Sequence, residues 1–212
     1  MEDDGQERTP RLTAKGRATR ARIVDAAAEL MFLHGVARTG VEDVQRKAGV
    51  SASQLYHYFA DKGALVRAVI ARQTDAVLEV QQPLLGRLDS FEGLEAWRDA
   101  VVDLQRQRDC TGGCPLGTLA AELAEEDPQA RADLAAGFER WEEPIRTGLR
   151  AMRDHGTLRP DADPDRLALA LLAAVQGGLV LTQARRDVTP LAVALDTVLD
   201  HIRSFAAPPS AP

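Results

Sequence analysis

Apolar residues recur along this chain at intervals of three and four, and strand-like alternation is nearly absent. That period belongs to amphipathic helices, so the pattern predicts an all-α protein. Residues 19–34 place Ile23, Ala27, Leu30 and Met31 on one stripe, which Gly35 ends. Residues 39–63, TGVEDVQRKAGVSASQLYHYFADKG, hold two shorter patterns. Val41, Val44 and Ala48 share a face of the first; Leu55, Tyr58 and Phe59 point inward from the second. Gly49 between them can take the positive φ of a sharp turn, and Ser51 can cap the helix that follows. Helices so short need a third to pack on, and residues 19–34 supply it. This is the layout of a helix-turn-helix, whose second helix enters the DNA major groove.

Downstream, Asp61 can cap a long helix over 61–81 carrying Leu65, Val69, Arg72, Ala76 and Val80, with Pro83 as its end. Residues 93–109 form another, with Leu94, Trp97, Val101 and Leu104 inward. Pro115 opens a helix to about Glu125, and Asp127-Pro128 one towards His155. Pro144 is expected to kink or split that helix, and Gly156 to close it. Residues 164–186 and 190–206 complete about nine helices.

Charge sharpens the division. The 212 residues carry a formal net charge of −6. Residues 8–72, however, hold twelve Lys/Arg against five Asp/Glu, a balance of +7, and residues 73–212 carry −9. A basic module joined to an acidic one fits a DNA reader attached to something else. Arg8, Arg11, Lys15, Arg17, Arg20 and Arg22 run without an intervening acid, fitting an arm along phosphates or a narrow minor groove. The start, MEDDGQERTP, is acidic and polar, unlike a signal peptide. Residues 167–184 lack charge, but Gln176, Thr182 and Gln183 argue for a buried interface helix over a membrane span. A cytoplasmic protein is expected.

The ordered set Ile23, Ala26, Ala27, Leu30, Gly35, Thr39, Val41, Asp43, Val44, Ala48, Gly49, Val50 and Ser51 continues with Leu55, Tyr56, His57, Tyr58, Phe59, Lys62 and Leu65. Over residues 19–70 it resembles the DNA-binding domain of TetR-family transcriptional regulators. The resemblance implies a homodimer on double-stranded operator DNA and a C-terminal domain that binds a small-molecule effector. The implied division is an arm over 1–17, the helix-turn-helix domain over 18–62, the ligand-binding and dimerisation domain over 63–206 and a disordered tail over 207–212. It also places Thr39, Ser51, Tyr56 and Lys62 on phosphates, and Ser53, Gln54 and His57 on or near base edges. Two positions depart from the family pattern: Ala52-Ser53-Gln54 stands where Lys-Gly-Thr is frequent, and Gly40 where a second Thr is frequent. Gln54 thereby gains the amide that pairs bidentately with adenine.

Two further surfaces follow. Leu167, Leu171, Val175, Leu179 and Thr182 make one stripe, and Leu195, Val198, Leu199 and Ile202 another. With Gly177 and Gly178 for close approach, these predict a four-helix dimer interface, against the alternative that both stripes bury within one subunit. For the effector, the candidate lining is Trp97, Val101, Leu104, Leu116, Leu119, Phe138, Trp141, Ile145 and Gln176, whose aromatic content suits a lipophilic molecule. GCPLG at 113–117, followed by LAAEL, resembles the lincomycin-resistance repressor subgroup; Glu122 within it is either a partner for a cationic ligand or a solvated glutamate.

Cys110 and Cys114 leave a second input open. A thiol just before a helix start has a lowered pKa, so a redox-responsive pair is an alternative, as is an activator rather than a repressor. Neither a metal site nor an enzyme is expected. His155 and His201 are far from the cysteines in sequence, no CxxC or βαβ pattern is present, and no cofactor motif was found.

Overall fold

The structure, a computed structural model, describes residues 12–208. Within them lie α1 (Ala14–His34), α2 (Val41–Ala48), α3 (Ala52–Tyr58), α4 (Lys62–Leu85), α5 (Phe91–Gln107), α6 (Pro115–Leu123), α7 (Pro128–Asp154), α8 (Pro164–Arg185) and α9 (Thr189–Arg203). The expected all-α, nine-helix architecture is therefore present among the described residues. One isolated bridge, Leu158 to Ala206, is the only extended pairing among them.

Local chemistry starts most of these helices. Thr13, Ser51, Asp61, Ser90, Asp127 and Asp163 each accept a hydrogen bond from a first-turn N–H, which satisfies donors the helix itself leaves open. The Thr13 cap starts α1 five residues before the expected boundary, so residues 14–17, assigned to the arm, are helical. The rest of the arm through residue 11 lies outside the described residues, as do residues 209–212 of the tail. Ala207, also assigned to the tail, donates its N–H to the Thr157 carbonyl at 3.0 Å.

Neither proline ends its helix. Pro83, expected to end the helix over 61–81, lies inside α4, which continues to Leu85, and Pro144 does not split α7. Each removes one backbone donor, yet the packing of Leu85 beyond Pro83, and of Ile145, Leu149 and Met152 beyond Pro144, carries the helix on.

Ile23, Ala27, Met31, Val44, Ala48, Leu55 and Phe59 are buried together in a three-helix unit under the first half of α4. Arg20 and Arg22 are both exposed, and each also makes one contact within this unit. Arg20 lies 5.1 Å over the Phe59 ring, and Arg22 Nε donates to the Ala48 carbonyl at the end of α2. Arg72 pairs with Asp25 at 2.9 Å, fastening α4 to α1, while Arg140 pairs with Asp75 at 2.8 Å, fastening α7 to α4. α4 thus belongs to both modules.

The last two helices overturn the expected dimer stripe. Leu171, Val175, Gly178, Leu179 and Thr182 on α8 and Leu195, Leu199 and Ile202 on α9 are buried within the single chain, with Val198 half-buried. A Cβ at Gly178 would stand 2.8 Å from the Leu191 Cα, so the close backbone approach is between α8 and α9 of one subunit. Gly177 faces open space instead. Because α8 is apolar nearly all round, a helical period alone did not say which apolar face turns inward. The opposite face exposes Leu169, Val180 and Leu181, with Val193 exposed on α9. Replacing Gly178 with Ala is expected to cost about 1–3 kcal/mol, read as a lower urea midpoint at unchanged slope.

Candidate nucleic-acid interface and ligand cavity

The turn before α3 is built as read from sequence: Gly49 sits at φ 62°, ψ 44°, in the left-handed region. Ser51 Oγ accepts from the Gln54 N–H at 3.2 Å, while Gln54 Oε1 accepts from the Ser51 N–H at 3.0 Å. This reciprocal capping box fixes the leading turn of α3. It also engages the oxygen that a bidentate adenine contact uses, leaving the Gln54 Nε2 donors outward.

Leu55 and Phe59 anchor α3 to the core, and Ser51, Ser53, Gln54, Tyr56 and His57 remain exposed, Tyr56 at 54%. His57 meets Tyr58 edge-on with ring centroids 5.0 Å apart. Thr39 differs from its expected role. It is 2% exposed, and its hydroxyl donates to the Gly35 carbonyl at 2.8 Å, so its one proton is engaged inside the domain. Lys62 is partly buried, and its Nζ donates to the Val36 carbonyl at 2.9 Å, leaving only its remaining protons for an anion.

The Val36 peptide is held from its other side as well. Its N–H donates to Glu122 Oε2 at 2.7 Å. Glu122 stands near the end of α6, and the same carboxylate fills the space beside Gly35, at φ 84°, where a Cβ would lie 3.1 Å away. Glu122 is half-buried and lies off the cavity wall, and it joins the C-terminal helices to the corner between α1 and α2. The LAAEL segment was visible in sequence, but its partner lies 86 residues away.

The other end of α6 borders a half-open cavity of about 450 Å³ lined by α4, α5, α7 and α8. Of the expected lining, Trp97, Val101, Leu104 and Trp141 are on its wall. Leu116 and Ile145 are fully buried in the core, Leu119 borders a much smaller gap beside Phe32, and Phe138 packs half-buried against the core. Gln176 lies against the start of α6, its Oε1 3.0 Å from where a Cβ on Gly117 would be, and its buried Nε2 has no partner among the described residues. Val175 and Leu179, expected at a dimer surface, line the cavity instead.

Sequence reasoning named Gln176 and passed over the amides that line the cavity. Gln81 Oε1 accepts from both indoles, Trp97 Nε1 at 2.8 Å and Trp141 Nε1 at 3.2 Å, while its Nε2 donates to the Val77 carbonyl at 3.1 Å. A signal existed: two buried indole N–H groups require an acceptor. Gln73 and Gln105 are also on the wall.

Both cysteines are unpaired and buried. Cys114 caps α6 through its sulfur, which accepts from the Gly117 N–H at 3.4 Å. Burial pushes the Cys114 thiol above its ordinary value, outweighing the backbone N–H groups of Gly117 and Leu116 that favour the thiolate. The helix start thus does not yield the low-pKa thiol that the redox alternative needed.

Comparison with known proteins follows the same division. Residues 23–69 match the family model of bacterial regulatory proteins of the tetR family, and residues 90–198 match the tetracyclin repressor-like C-terminal domain. An HTH-type transcriptional regulator of Mycobacterium tuberculosis, MT0206, is 29% identical over 181 residues, spanning 81% of this chain and 88% of that protein. The HTH-type transcriptional repressor DhaR of a Mycobacterium species is 23% identical, over 86% of this chain and 91% of that protein. A TetR transcriptional regulator from Chloroflexus aurantiacus superposes with a TM-score of 0.79 at 28% identity, covering 92% of this chain and 99% of that one.

Because the raised thiol pKa keeps Cys114 protonated near neutrality, Ellman's reagent is expected to label it slowly in the folded protein and rapidly in urea. Fast labelling of Cys114 in the native state would restore a redox role.

Proposed function

The chain belongs to the tetR family of bacterial regulatory proteins, and from that premise we propose that it is a repressor released from a pseudo-palindromic operator when a lipophilic small molecule fills its cavity. That it is a DNA-binding transcriptional regulator follows from the family itself. Its recognition surface is the exposed face of α3. Ser53, Tyr56, His57 and the Gln54 Nε2 donors reach bases or phosphates there, and Ser51 holds the helix start. Thr39 supports this surface from behind through Gly35.

One observation carries the release mechanism: α6 begins on the cavity wall at Cys114 and Pro115 and ends on the helix-turn-helix domain at Glu122. α4 makes a second connection, lining the cavity from Gln73 to Leu84 and starting at Lys62, shortly after α3 ends at Tyr58. A ligand that fits the cavity better with α4 and α6 in one arrangement favours that arrangement by its difference in affinity, and the recognition helices move with it.

A seven-residue recognition helix makes few base contacts, so two copies are needed for affinity and specificity. The second copy docks on the outward face of α8 and α9, where Leu169, Val180, Leu181 and Val193 are exposed and Gly177 leaves open space. Cytoplasmic location follows from the need to reach DNA.

Replacing Val180 with Arg is expected to convert a dimer into monomers in analytical ultracentrifugation and to lower affinity for a palindromic duplex from the promoter of its own gene. A variant that stays dimeric would move the interface elsewhere. Glu122→Ala is expected to weaken operator binding about fivefold in fluorescence anisotropy, the loss of one charge-assisted hydrogen bond at the α1–α2 corner. Unchanged affinity would remove α6 from the transmission path, and no preference for the promoter duplex over random sequence would end the regulator reading.

A further inference from the structure

We infer that Gln54 reads its base pair as a donor alone, so that the protein prefers guanine, and thymine after it, to adenine at that position of each half-site. This rests on the proposal that α3 is the recognition helix, and it assigns the polarity of one contact which that helix makes.

The exposed polar side chains of α3 are Ser53, Gln54, Tyr56 and His57. A hydroxyl rotates to donate or accept, and a neutral imidazole does either through its two nitrogens, so Ser53, Tyr56 and His57 suit a donor or an acceptor alike. Gln54 is different, because the fold has divided its carboxamide. Oε1 accepts from the Ser51 N–H at 3.0 Å, while Ser51 Oγ accepts from the Gln54 N–H at 3.2 Å. The opposite amide orientation would set two donors against each other at Ser51, so the cap itself decides which atom faces out. The turn offers Ser51 no easy substitute, since the Gln45 carbonyl already accepts from the Gly49 and Val50 N–H groups. Gln54 is also the third residue of α3, and the leading residues of a recognition helix are those that meet base edges.

An Nε2 group whose partner oxygen is engaged offers hydrogens only. In the major groove guanine presents two adjacent acceptors, N7 and O6, and thymine presents O4. Adenine sets its N6 amino donor beside N7, and cytosine shows only the N4 donor. Donor against donor is repulsive, so the order of preference is guanine, thymine, adenine, cytosine. The two-bond pairing of glutamine with adenine needs Oε1, and forming it strips the Ser51 N–H of its acceptor. One hydrogen bond is then exchanged for another, whereas guanine is read with the cap intact. The adenine contact expected from sequence is therefore replaced by the kind of contact that a lysine makes to guanine.

Binding selection on randomised duplexes with the full chain tests this, with Gln54→Ala, Gln54→Lys and Gln54→Glu run in parallel. The position whose preference collapses in Gln54→Ala is the one that Gln54 reads; Gln54→Met takes its place if the alanine variant unfolds. A G·C pair is expected there for the unaltered chain, favoured about tenfold over the pair that puts adenine in guanine's place. Gln54→Lys, a donor without an acceptor, keeps that pair. Gln54→Glu still accepts from Ser51 but has no donor, and it inverts the pair to put cytosine in guanine's place. An A·T pair leading at that position in the unaltered chain, or a guanine preference lost in Gln54→Lys, would overturn the inference. Enrichment that survives Gln54→Ala at every position would overturn it and leave the recognition helix standing. No enrichment of any sequence by the unaltered chain would overturn both.

Discussion

The peptide group of Val36 is where the two modules of this protein meet. Its carbonyl is held by Lys62 at the start of α4, and its N–H by Glu122 near the end of α6. A recognition helix of seven residues has no stability of its own, so its position is inherited from what surrounds it. Leu55 and Phe59 fix it within the three-helix unit, and the Val36 corner helps fix that unit to the rest. Both groups that grip the corner belong to helices that also touch either the recognition helix or the cavity. A displacement of α6 or α4 by even a few tenths of an ångström is therefore felt at the corner, because hydrogen bonds this short weaken steeply with distance and misalignment.

The same economy governs α8. An apolar helix with one face in the core leaves its other face to water, and the exposed Leu169, Val180 and Leu181 form such a face. The inner face performs two tasks. Gly178 allows α9 to approach, and Val175 and Leu179 close the cavity. Cavity wall and proposed dimer surface are thus opposite sides of one helix. Arg98, paired with Asp196 through two hydrogen bonds at 2.7 and 2.8 Å, ties α5 to α9 and extends that rigid unit across the wall.

How much of this was legible in the sequence depends on the range of the interaction. The helix-turn-helix was readable because its determinants lie within a few residues of one another: Gly49 for the turn, Ser51 for the cap, Leu55 and Phe59 for the buried face. Even there, the reciprocal bond from Gln54 was missed, although Ser51 and Gln54 stand at capping-box spacing. The cavity was half readable. Trp97, Val101, Leu104 and Trp141 were found as large apolar residues on inward faces, but Leu116 and Ile145 share that signature and belong to solid core. Period assigns a residue to an inward face and is silent on whether the space beyond is filled. On α8 it also chose the wrong face, because both faces satisfy it. Contacts such as Glu122 to Val36 are invisible to any local pattern.

The amides mark the sharpest limit of pattern reading. Gln81 and Gln105 interrupt apolar stripes, and a hydropathy count treats both as departures from a core pattern. Inside the fold Gln81 satisfies the two tryptophan N–H groups at once, joining α5 and α7 to α4 through one oxygen. Gln105 serves through its backbone, whose carbonyl accepts from the Cys110 N–H at 2.9 Å and turns the chain after α5. Both roles depend on partners that a helical period does not name, because period reports which way a side chain faces and not what it meets there.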